Sequence, residues 1–148
     1  MIDEEYNKMS TLTEIEDRFL PVFRKMATEI SAEFPKVRTN VWSYPVGALT
    51  DYHGHGLGVE CSIPSNLPDP ADPDQTEYVA LMINLKHLST KPEIETVLVS
   101  WGSGQVETKF VPEPVAITED ILVKIENSLP KLYEVLKSAV ARGHPVTE

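Results

Sequence analysis

The chain has 148 residues, 41% hydrophobic and 24% charged, and its 23 acids against 13 bases leave a formal net charge of −10. That length makes one domain with a core of its own, and a single cysteine, Cys61, excludes an intramolecular disulfide framework. No run approaches the roughly 18 apolar residues of a membrane span, Met1 to Met9 is acidic and polar rather than signal-like, and an acidic chain lacks the basic face that neutralises nucleic-acid phosphates. The expectation is a cytoplasmic protein with neither a membrane nor a nucleic-acid partner.

Residues 1–10 lack an apolar period and read as an acidic tail. Thr11 and Glu14 have capping-box spacing, and Leu12, Ile15, Phe19, Val22, Phe23, Met26, Ile30 and Phe34 follow at intervals of three or four, the stripe of an amphipathic helix. Pro21 should kink that helix or divide it in two, and Pro35 ends it.

From Val37 the period becomes two. Strands are predicted over 37–46, 52–63, 77–88, 93–101 and 105–111, separated by Gly, Pro, Asp and Asn. The short glycine-rich segment Trp101–Gln105 makes a hairpin turn, so neighbouring strands run antiparallel. Residues 64–76 are too rich in proline to join a ladder and read as an exposed loop, where Asp69, Asp72 and Asp74 are solvated charge. Thr118, Glu119 and Asp120 then start a second helix with the stripe Ile121, Leu122, Ile125, Leu129, Leu132, Tyr133, Leu136 and Val140. Pro130 should bend it, and Gly143 and Pro145 stop it. Residues 144–148 form a second tail.

The predicted fold is therefore α+β, a five-stranded antiparallel β-meander flanked by N- and C-terminal helices packed on one sheet face, in a single domain over 11–143. The other face of such a sheet should be polar, yet apolar residues fall on both. Met82 opposes Leu81 and Ile83, Val97, Val99 and Trp101 alternate with Ile94, Thr96, Leu98 and Ser100, and Trp42 and Tyr44 alternate with Val37 and Val41. Aromatic residues on an uncovered sheet face are costly to leave wet and are enriched in interfaces. Trp42, Tyr44, Val97, Val99 and Trp101 are accordingly the candidate contacts to a dimer mate, another protein or a ligand.

Chemistry-bearing residues concentrate in Tyr52-His53-Gly54-His55-Gly56-Leu57-Gly58-Val59-Glu60. Two histidines at i and i+2 of a strand share a face and can reach one metal ion. With Gly47, His53, His55 and Glu60 in register, the stretch resembles the first motif of the cupin family, G-x5-H-x-H-x(3,4)-E-x6-G. That resemblance implies a barrel holding a divalent metal on His53, His55 and Glu60. The closing glycine position holds Leu67 and no second histidine motif follows, so the chain is assigned to no family. In an unbroken strand Glu60 points away from both histidines, and the three converge only if Gly56-Leu57-Gly58 turns or bulges.

Gly102-Ser103-Gly104 is a turn rather than a nucleophile elbow or phosphate loop. Cys61 lies in an apolar alternating run and reads as a buried structural thiol. Glu95 and Glu107 fall on neighbouring strands, and Lys109 is in reach to neutralise either. With no complete catalytic constellation, the expected function is that of a non-catalytic, homodimeric interaction or binding protein without a cofactor. The alternative is a metal-dependent enzyme or sensor using His53, His55 and Glu60 with one divalent transition metal.

Overall fold

The structure, a computed structural model, describes residues 4–46, 54–64, 76–88 and 90–143. Its element order is α1 (Glu4–Glu33), β1 (Arg38–Val46), β2 (Gly54–Pro64), β3 (Thr76–Lys86), β4 (Glu93–Trp101), β5 (Val106–Val111), β6 (Val115–Ala116) and α2 (Glu119–Gly143). The strands form one antiparallel sheet in the order β1-β2-β3-β4-β5, with β6 pairing β4. The two-layer α+β architecture matches the sequence-based expectation.

Both helices pack on the same sheet face, because each carries one apolar stripe and alternate strand residues meet it. From α1 come Ile15, Phe19, Phe23, Met26 and Ile30, and from α2 Leu122, Ile125, Leu129, Leu136 and Val140, all buried. Beneath them lie Leu57, Val59, Cys61 and Ile63 of β2, Val79, Leu81, Ile83 and Leu85 of β3, and Ile94, Val97 and Val99 of β4, each fully buried. Removing a Leu- or Phe-sized side chain from water stabilises by about 1.5–3 kcal/mol, so this face holds the fold together. The burial pushes the Cys61 thiol up to about 12, with Glu60 adding to the shift. Cys61 is thus an unreactive core group, as its alternating context predicts.

Several local expectations change. Helix α1 begins at Glu4 and includes Thr11 within it, so Thr11 does not cap it. Once the buried turns have nucleated the helix, propagation toward an acidic N-terminus is inexpensive, and negative charge there suits the helix dipole. Pro21 and Pro130 each sit inside one continuous helix rather than between two. The cap on α2 forms as expected, with Ile121 N–H donating to Thr118 Oγ1 at 3.2 Å and Leu122 N–H to Thr118 O at 3.1 Å. The turn after β4 is likewise the predicted hairpin, with Trp101 N–H donating to Gln105 O at 2.7 Å and Gly104 at φ 96°. β6 has no counterpart among the predicted strands. It continues the edge occupied by β5 after Pro112-Glu113-Pro114, where two residues lack the N–H a ladder needs.

Parity along β4 also differs from strict alternation. Leu85 pairs Ile94 while Asn84 pairs Thr96, so Glu95 is an extra residue in a bulge. Ile94 and Val97 consequently face the same core, although an unbroken period of two separates them.

Candidate interaction face and buried histidine

Register places Trp42, Gly58, Met82 and Leu98 side by side across β1, β2, β3 and β4 on the face away from the helices. Among the described residues, no helix covers this row. Neighbouring rows are mostly polar: Asn40, Glu60, Ala80 and Ser100 on one side, Tyr44, Gly56, Asn84 and Thr96 on the other. Asn84 Nδ2 donates to Thr96 Oγ1 at 2.9 Å, closing that side of the row. An apolar centre inside a polar rim is the anatomy of a protein interface.

The two aromatics of β1 each sit opposite a glycine, Trp42 against Gly58 and Tyr44 against Gly56. Both glycines are buried and Trp42 is half-buried. A Cβ built on Gly58 would lie 3.0 Å from Trp42 Cη2 and only 2.2 Å from the Leu81 carbonyl oxygen. The indole therefore lies over β2 and fills the room that a side chain at Gly58 would occupy, a cross-strand rescue of a glycine by an aromatic. Trp42 and Tyr44 are in tilted contact, ring centroids 6.2 Å apart. Tyr44 and Tyr78 remain about half-exposed, at 53% and 44%.

The structure divides the five aromatic and aliphatic candidates. Trp42 and Tyr44 lie on the free face. Val97 and Val99 are wholly buried beneath the helices and present nothing to a partner. Trp101 pairs with Val79 on that same inner face, packs against the core and donates its Nε1–H to Glu107 Oε1 at 3.1 Å. Met82 and Leu98 take the places of the two valines on the free face, set by the direction in which the helices cover the sheet. Glu107 is met by Trp101 and by Arg142 of α2, not by Lys109, and these two donors hold its carboxyl below the usual range.

His55 is the one buried polar residue of the described core, 6% exposed, on the helix side of β2. Ser43 Oγ stands 2.6 Å from His55 Nε2 and donates to Glu16 Oε2 at 2.6 Å. Since its single proton goes to Glu16, Ser43 accepts from the ring, and His55 carries a proton on Nε2. That order is the reverse of a nucleophilic serine, which must surrender its proton to the histidine. The chain Glu16–Ser43–His55 instead satisfies a buried imidazole and joins α1 to β1 and β2. Glu16 and Ser43 were missed from sequence; their signal is position, Glu16 next to the apolar stripe and Ser43 in phase with inward Val41.

β2 keeps continuous register with β1 over Gly54–Ser62 and with β3 over His55–Pro64, with no turn or bulge at Gly56-Leu57-Gly58. Glu60 therefore points to the face opposite His55, so these two members of the cupin-like set do not converge on one ion. His53, Gly47, Leu67 and the aspartates at 69, 72 and 74 lie outside the described residues. No group of three potential ligands that could hold a metal occurs among the described residues.

No protein-family model, curated protein or solved structure matches the chain. No described helix is long and apolar enough to cross a membrane.

Proposed function

We propose that this chain is a non-catalytic, cytoplasmic interaction protein that pairs with a second copy of itself through the free sheet face. The apolar row Trp42–Gly58–Met82–Leu98 within its polar rim carries the reading. The same face bears Arg38, Lys86 and Lys109 against Glu60 and Glu93, whereas the whole chain has a net charge of −10. A face of mixed sign on an acidic molecule suits a self-complementary contact, in which each patch meets its own copy.

Light scattering and sedimentation of the full chain test the reading directly. A dimer is expected at micromolar concentration, with Trp42→Glu and Leu98→Lys each yielding a folded monomer, because a charge in the centre of the row would be buried unpaired. A wild-type monomer throughout that range, or a dimer indifferent to both substitutions, would overturn it.

A further inference from the structure

On the opposite side of the molecule, α1 and α2 are tied together at two points. Arg18 donates to both carboxylate oxygens of Glu119, at 2.9 and 2.7 Å, and to Glu126 at 2.8 Å. Further along, Tyr133 Oη donates to Glu29 Oε1 at 2.8 Å. Between these ties lies a groove of about 360 Å³, within the size range of small-molecule sites. Met26 and Leu129, 4% and 3% exposed, form its floor, and Val22 and Pro130 line its sides.

Its length and charge narrow the choice of occupant. Arg18 and Glu29 are separated by about 16 Å along α1 at a rise of 1.5 Å per residue, and the cross-ties close both ends. A partner's helix could lie there only by breaking them, so the space suits a small molecule. Arg18 is one positive charge shared among Glu14, Glu119 and Glu126, which leaves that end net negative, and Glu29 adds a further carboxylate. Lys25 is the cation among the lining residues and acts in the opposite sense. The Tyr133 ring already carries a cation, with Lys137 Nζ 5.0 Å from its centroid.

We infer that this groove binds a small amphipathic organic cation, its apolar body on Met26 and Leu129 and its ammonium group at the Glu29 carboxylate, with Glu126 adding negative charge from the other end. Nothing in this site depends on the sheet face or on dimerisation.

Three probes with one tail and different head groups, n-octylammonium, n-octanol and n-octanoate, separate charge from hydrophobic fit. In calorimetric titrations of the full chain, octylammonium should bind saturably, one per chain, about tenfold or more tighter than either other probe, a difference of about 1.4 kcal/mol. Combining Glu29→Gln with Glu126→Gln retains acceptors for Tyr133 and Arg18 and should abolish that preference. Lys25→Gln should tighten octylammonium several-fold, and Val22→Trp should fill the groove and weaken all three probes. Circular dichroism confirms folding of each variant, and the wild-type comparison stands without them. Octanoate binding as tightly as octylammonium, absence of saturable octylammonium binding, or a preference unchanged in the folded double-glutamine variant would overturn the assignment.

Discussion

At the scale of single residues, the decisive position is Gly58. Its missing side chain lets β3 approach so closely that an added Cβ would meet the Leu81 carbonyl oxygen at 2.2 Å and Met82 Cα at 2.9 Å, both backbone atoms. A flexible side chain could move aside, but a central strand held on both edges cannot. Gly58→Ala should therefore cost about 3 kcal/mol or more, the upper end of overpacking effects, measurable as a lowered urea midpoint. A loss below about 1 kcal/mol would show that the strands spread freely. The glycine was visible in sequence as part of a His/Gly run, but its reason was not, because the atoms that exclude a Cβ belong to β3 and β1. His55 and Glu60 carry the complementary lesson. Parity already separated them, and only the regular register of β2 removed the bulge that would have reunited them.

At the scale of elements, the helices are held to the sheet by burial and to one another by few polar ties. Arg18 holds the Glu119 carboxyl below its usual range, by hydrogen bonding first and by charge second. A carboxyl with a depressed folded-state pKa contributes stability above its unfolded value, and that contribution is lost as pH falls through the folded one. Arg18→Gln should thus lower the thermal midpoint at pH 7 by a small amount, typical of exposed ion pairs. The difference from wild type should shrink below about pH 4, the range in which an ordinary Glu titrates. A difference constant from pH 7 to pH 2 would place the role of Arg18 in packing instead. Both amphipathic helices were legible from their apolar spacing, Ile15 to Ile30 and Leu122 to Val140. The bulge at Glu95 was not, because it follows from how β3 and β4 pair.

At the scale of the whole molecule, ten excess negative charges oppose self-association, while the proposed contact face carries bases and acids together. Repulsion between two such molecules is long-ranged and screened over about 8 Å at physiological ionic strength, whereas burial of Trp42, Met82 and Leu98 is not screened. Dimer affinity should therefore rise as salt is increased from low to physiological concentration, as read by sedimentation equilibrium. An affinity that falls with salt would mean that cross-interface ion pairs dominate the contact.

The alternation of β2 to β4, the two helical stripes and the turn at Gly102-Ser103-Gly104 determined the α+β meander from sequence alone, because those patterns arise from the geometry of one chain segment. Tertiary structure decided which side of the sheet the helices cover. That choice sent Val97, Val99 and Trp101 to the core and left Trp42, Met82 and Leu98 on the other face. It also set Ser43 against Glu16 and His55, and Glu29 against Tyr133, pairs that exist only through contacts between separate elements. Local periodicity identifies two faces of a strand, but the face that is buried depends on where the helices pack.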